Sequence, residues 1–431
     1  MKILIKGGHV IDPKTGLDGI FDILIEYGKV IEISEHIDVE GTEYVDVIDA
    51  AGKYVLPGFV DAHCHLRDPG YEYKEDIESG TASAAMGGFT SIACMPNTNP
   101  VIDNQAVINY IKNKAAQDGY VNVYPIGAIT KGQKGEELAE IGELKFAGAV
   151  AISDDGKPVA NSSLMKKAMQ YASMFDITVI SHCEDLQLSD EGVMNEGFRS
   201  TVMGLKGIPS ASEEIIVSRD LILAEYTKTP IHIAHVSTEL SVDLIRHAKK
   251  RGVKVTAETC PHYFVLTEDA CDGFNTLAKV NPPLRTQKDV DAIIKGLADG
   301  TIDIIATDHA PHHVDEKNVE FNIASSGMVG FETAFSLAYT YLVEPGFITM
   351  QQLVEKMCLN PSKILGLNKG TIEVGKSADI TIVDTSEEYI VNTAVFKSKS
   401  KNSPFDGYKL KGVVYHTIVD GNIVVREKVL L

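Results

Sequence analysis

At 431 residues, with 44% hydrophobic and 23% charged side chains, the chain has the make-up of an ordinary soluble globular protein and is too long for one small domain. Its formal net charge of -20 argues against nucleic acid and anionic membrane surfaces, which would repel it, but leaves a small acidic substrate open if local cations receive it. No run of about 20 apolar residues occurs, and Met1-Lys2-Ile3-Leu4-Ile5-Lys6-Gly7-Gly8 lacks a signal peptide's apolar core, so a cytoplasmic protein is expected.

The first fifty residues alternate in short runs: Ile3-Leu4-Ile5, Ile20 to Ile25, and Lys29 to Ile33 as the far arm of a hairpin turning at Glu26-Tyr27-Gly28. The last sixty repeat that texture, with Ala378 to Asp384 alternating and a strand pair around Asp420-Gly421-Asn422. Together they predict one small β-sandwich built from residues 1–53 and 367–431, flanking a central domain over 54–366. Apolar strand candidates there lie near 55–61, 89–95, 122–127, 148–153, 176–181, 230–235, 253–258 and 302–307. Helical periodicity fills most gaps, at Asp76 to Gly87, Ala106 to Ala116, Ser163 to Met174, Ser241 to Arg251 and Lys288 to Asp299. Such alternation is the pattern of a (β/α)8 TIM barrel. A doubly wound sheet would bring a Gly-rich phosphate turn, and the sequence has none.

Catalytic groups of a barrel come from the C-terminal ends of its strands. In Asp61-Ala62-His63-Cys64-His65, residues two apart share a face, so His63 and His65 point together while Cys64 enters the opposite layer. An isolated His-x-His is more often a satisfied core or surface pair. Here the other strand ends carry Met95-Pro96-Asn97-Thr98, Ser153-Asp154-Asp155-Gly156, Ser181-His182-Cys183-Glu184, Ala234-His235-Val236-Ser237 and Ala306-Thr307-Asp308-His309-Ala310-Pro311-His312. Histidines and carboxylates at so many predicted ends point to a metal centre.

This constellation resembles the amidohydrolase superfamily, and within it the bacterial dihydroorotases. Two motifs carry the resemblance: Asp61-x-His63-x-His65-Leu66-Arg67-x-Pro69, and Ala306-Thr307-Asp308-His309-Ala310-Pro311-His312 with Lys317 five residues on. Cys64 stands where that family usually has an aliphatic residue, and Ser326 where many of its members are bulkier. The resemblance implies two Zn²⁺ ions, His63, His65 and Asp308 holding one and His182 and His235 the other. Asp155 takes the bridging position, with Asp154 as its alternative. Related hydantoinases and allantoinases bridge with a carbamylated lysine, and Gly148 to Ser153 contains none. The implied activity is the reversible closure of N-carbamoyl-L-aspartate to (S)-dihydroorotate in pyrimidine biosynthesis, with Asp308 as general base and then acid. Arg67, Asn97 and His312 match the carboxylate-binding positions; Asn281 and the backbone around Ser326-Gly327 would hold the ring. A homodimer and a complex with aspartate carbamoyltransferase are the implied assemblies.

Blander readings accompany several of these residues. Asp155 could cap a helix, Arg67 could pair with Asp68 or Asp76, and His312 and His313 could form a solvated pair. His232, of different parity from His235, reads as structural and His309 as a supporting group; His262 is left without a role. Cysteines 64, 94, 183, 260, 271 and 358 show no CxxC spacing and read as reduced packing thiols. The polar stretch from His309 to Gly330 is a candidate mobile lid.

Overall fold

A computed structural model of the chain describes residues 2–39 and 45–431. Met1 and residues 40–44, part of the expected N-terminal half of the sandwich, lie outside the described residues. Parallel strands, numbered here β1 (Phe59–Cys64), β2 (Phe89–Cys94), β3 (Asn122–Gly127), β4 (Ala151–Ser153), β5 (Thr178–Ser181), β6 (Ile231–Ile233), β7 (Val255–Thr259) and β8 (Ile304–Ile305), pair in chain order. The ring closes just beyond β8, where Asp308 N donates to His63 O at 3.0 Å and His65 N to His309 O at 2.8 Å. Buried on both faces, these strands read as apolar runs rather than alternating ones. The result is a (β/α)8 barrel.

The helices begin where side-chain oxygens take up the orphan N–H groups of the first turn. Asp76, Asn104, Asn161 and Thr238 cap Ile77–Met86, Gln105–Asp118, Ser162–Ser173 and Glu239–Lys250 in this way. Helix Ala211–Thr227, the longest described, was not expected from periodicity. It buries Ile216, Val217 and Leu221 but exposes Ile215, Ile222 and Tyr226, so apolar residues mark both its faces.

The expected strand over 55–61 is two strands. Tyr54–Pro57 pairs with Ile380–Val383 in the terminal sheet, whereas β1 starts at Phe59. Between them Gly58 allows close approach to the barrel: a Cβ there would stand 2.2 Å from Thr90 Oγ1. The terminal sheet joins Lys2–Asp12, Leu17–Glu26 and Lys29–Ser34 to Ile380–Ile390, Lys409–Val419 and Asn422–Arg426 through Tyr54–Pro57. Ile3, Ile5, Ile23 and Ile25 share its apolar core with Ile372, Ile380, Ile382 and Ile418, forming the small sandwich from both termini. Both predicted hairpin turns are present, with positive φ at Tyr27 and Gly28 and at Asp420 and Gly421.

Residues 391–408 leave this sheet and run to the barrel. There Ser398 Oγ and Lys399 N donate to Glu75, and Lys397 N donates to Glu332 Oε1 at 2.6 Å. Burial lifts the Glu332 carboxyl to about 7 from an ordinary 4.5. Between those values the folded chain holds more protons than the unfolded one, so the stability this group contributes is lost as pH rises through the window. Glu332→Gln is expected to raise the melting temperature more at about pH 8 than at about pH 5, by up to about 3 kcal/mol in equivalent stability. Equal shifts at both pH values would show an ordinary ionised carboxylate instead.

Candidate metal centre and the barrel mouth

β1, β5, β6 and the turn after β8 deliver their polar ends to one point, around Asp155 just past β4. Asp155 Oδ1 lies 3.3 Å from His182 Nδ1, 3.5 Å from His63 Nε2 and 3.6 Å from His235 Nε2, and its Oδ2 lies 3.6 Å from His65 Nε2. Asp308 Oδ1 stands 3.1 Å from His65 Nε2 and 3.5 Å from His63 Nε2. His182 Nδ1 and His235 Nε2 are 2.8 Å apart. The sequence-predicted set of His63, His65, Asp155, His182, His235 and Asp308 is thus brought together, and all six are buried.

Asp155 begins no helix, so the capping alternative fails. Asp154 turns the other way and accepts from Ile129 N at 2.8 Å and Thr130 N at 3.1 Å. Arg67, His235 and Asp308 all hold positive φ without being glycine, a concentration of strained backbone at the mouth.

The electrostatics call for positive charge here. Burial opposes ionisation of Asp155, yet His63, His182 and His235 hold it well below the carboxylate range. Burial likewise opposes a charge on His182, but its contacts with Asp155 and Glu184 lift it to about 10. Asp308, buried but facing His63 and His65, is drawn down to about 2. Protons on imidazoles are one source of the charge these carboxylates demand; divalent cations are another. His63 Nε2 and Asp155 Oδ1 are buried without a hydrogen-bond partner and face each other. Two triads, His63–Asp155–His235 and His63–His65–Asp308, each place their donor atoms within 4.8 Å of one another. Orphaned donors of this kind, all imidazole nitrogen or carboxylate oxygen, fit transition-metal binding.

A cavity of about 570 Å³ opens over this cluster, and Arg67, Asn97, Asn281, His312, Ser326 and Gly327 all line it. Arg67 does not pair with Asp68, which Lys114 holds at 2.6 Å, or with Asp76, which Lys399 holds. Its Nε donates to Pro311 O at 3.1 Å, and its Nη2 lies 3.3 Å from His312 Nε2. His312 Nε2–H donates to Ser326 O at 2.8 Å, and burial beside the Arg67 cation holds its pKa far below the usual imidazole value. Asn97 Oδ1 accepts from His65 Nδ1 at 2.9 Å, so it orients a candidate ligand as well as lining the pocket. Asn281 Nδ2 donates to Glu184 Oε2 at 3.0 Å.

Gly327 departs from expectation. Its N–H donates to Lys279 O at 2.9 Å and its carbonyl accepts from Lys317 Nζ and Asn402 Nδ2, both at 3.0 Å. Both backbone groups are therefore committed inside the protein, leaving Ser326 as the exposed member of the pair. The same bonds fasten the stretch proposed as a lid: Ala310 N donates to Met328 O at 2.8 Å and Lys317 Nζ to Ser325 O at 2.8 Å. The outer wall is completed by an excursion after β5, from which Leu186, Glu191, Val193 and Ile208 line the cavity.

Sequence reasoning missed Glu258. Its Oε1 accepts from His63 Nδ1 at 2.6 Å and its Oε2 from His232 Nε2 at 3.0 Å, which leaves His63 Nε2 free to face the centre. The signal was available: an acidic residue in the buried run Val255–Thr259 needs a partner. His232, read as structural, is one carboxylate removed from His63. His309 points away, stacking on Phe331 at 4.2 Å and lying 3.3 Å from Glu75. His262 is buried beside Asp308 and Cys260, and burial draws it down to about 4. All six cysteines are buried and free. Among the described residues no helix is long and apolar enough to cross a membrane.

Comparison with known proteins shows the family and the fold. The family model described as "Dihydro-orotase-like" matches residues 52–241. Proteins named dihydroorotase from Acetivibrio thermocellus and Ruminiclostridium cellulolyticum are 76% and 72% identical over 429 and 431 residues, covering all of both chains in each case. Among solved structures, L-hydantoinase (dihydropyrimidinase) from Arthrobacter aurescens superposes with a TM-score of 0.89 at 29% identity, covering 100% of this chain and 97% of that one. Dihydropyrimidinase from Brevibacillus agri gives 0.88 at 25% identity, covering 100% and 96%.

Proposed function

This chain belongs to the dihydroorotase family of cyclic amidohydrolases, and from that premise we propose that its barrel mouth interconverts N-carbamoyl-L-aspartate and (S)-dihydroorotate in de novo pyrimidine biosynthesis. The observation that carries the proposal is the gathering of four imidazoles and Asp308 around Asp155, beneath a pocket whose cation is Arg67. His63, His65 and Asp308 would hold one Zn²⁺ ion and His182 and His235 a second, with Asp155 within reach of both groups. When bound, such a pair supplies hydroxide at neutral pH and polarises an amide carbonyl.

The chain's own residues do the rest. Arg67 receives the substrate carboxylate, with Asn97 and His312 at its sides, while Asn281 and Ser326 hold the ring. Asp308 takes the proton of the attacking water and returns it to the ring nitrogen as the C–N bond breaks; in synthesis the same carboxylate takes the ureido proton as that bond forms and hands it to the carboxyl oxygen that leaves as water. Glu258 keeps the His63 ring turned to the centre. The enzyme works in the cytoplasm as a homodimer.

An absorbance assay of dihydroorotate hydrolysis at about pH 8, with metal quantified on the same sample, tests the reading. A metal-loaded chain that opens hydantoin but leaves dihydroorotate untouched would overturn it. Glu258→Ala is expected to weaken zinc binding about 10–100-fold in chelator competition, with Glu258→Gln milder. Unchanged zinc affinity in both variants would remove Glu258 from the centre.

A further inference from the structure

We propose that Asn402, on the segment returning from the terminal sheet, is a positioning residue that fixes the spacing between His312 and Gly327 and thereby shapes the pocket for the substrate's carboxylate and ring. The inference rests on the function proposed above and adds a residue that lies far outside the barrel in sequence.

Asn402 is buried, and its amide is fully used. Its Oδ1 accepts from His312 N at 3.2 Å, and its Nδ2 donates to Ala310 O at 3.2 Å and Gly327 O at 3.0 Å. Its own carbonyl accepts from Val329 N at 2.9 Å. The side chain therefore ties the outgoing limb, at Ala310 and His312, to the returning limb at Gly327, and the backbone carbonyl adds Val329. Those limbs meet without slack: a Cβ on Gly327 would stand 2.7 Å from Ala310 Cβ and 3.0 Å from His312 Nε2. Lys317 also binds Gly327 O, but it belongs to the loop it folds. Asn402 fixes that folded loop to the rest of the molecule. The position demands two donated protons and one accepted at once, which a carboxylate of the same shape does not provide.

The full-length, zinc-loaded enzyme provides the test, with Asn402→Asp as the isosteric change and Asn402→Ser as a second in case the first does not fold. Both are expected to raise KM for dihydroorotate about tenfold or more, with kcat within about threefold and zinc content unchanged. Amide exchange is expected to quicken over residues 310–329. An aspartate variant with wild-type KM and exchange would reduce Asn402 to a space-filling role and overturn the proposal. So would joint loss of kcat and zinc, because that would locate its action at the metal centre. Wild-type enzyme inert towards dihydroorotate would sink the functional reading instead; the exchange measurement would then still decide whether Asn402 ties the loop.

Discussion

Replacing Asp308 by alanine is expected to lower kcat at least about a thousandfold while the chain stays folded. The carboxylate is placed for two tasks, with Oδ1 3.1 Å from His65 Nε2 and 3.5 Å from His63 Nε2. It is one of three groups assigned to one ion and the group assigned to carry the proton between water and ring nitrogen. Both tasks end with the side chain. The fold survives because Asp308 closes the barrel through its backbone N–H, donated to His63 O at 3.0 Å, and alanine keeps that bond. Circular dichroism should be unchanged and zinc should fall below two per chain. Asp308→Asn separates the tasks, since an amide can still coordinate through oxygen but cannot take the proton. Turnover within about tenfold of wild type in the asparagine variant would mean that another group moves the proton.

Arg67→Ala is expected to raise KM for dihydroorotate about a hundredfold with zinc content unchanged and kcat altered much less. The reason is the charge of its surroundings. In a chain of formal net charge -20, an anionic substrate must be received by a cation at the pocket itself. Arg67 is half-buried at the wall of the cavity and held in direction by Pro311 O. Losing a charged, two-pronged contact costs about 1.5–3 kcal/mol. Arg67→Lys should recover only part of the loss, because an ammonium cannot reproduce the planar fork. Normal kinetics in the alanine variant would move the carboxylate receptor elsewhere.

The barrel was legible in the sequence because its strands are buried on both faces and end in polar residues of one chemical type. His63 and His65 alone would have said little; their agreement with His182, His235 and Asp308 at other strand ends carried the reading. What stayed hidden follows from physics that periodicity does not see. The stretch over 55–61 reads as one strand although Gly58 divides it between two sheets. Ala211–Thr227 has apolar residues on both faces, so no stripe announces it. Glu258 was overlooked because its partner, His63, is 195 residues away. Asn402 left no local signal, since all its partners lie in another part of the chain.

The segment holding Asn402 has a consequence for how the enzyme is made. A ribosome that has reached residue 308 has already produced every side chain assigned to the zinc pair. The residue that ties the pocket wall at His312 and Gly327 comes almost a hundred residues later, at position 402. Strand Tyr54–Pro57 likewise waits for Ile380–Val383 before its edge is covered. The tie at the pocket wall is thus made after every candidate metal ligand has been synthesised, by one of the last parts of the chain to emerge.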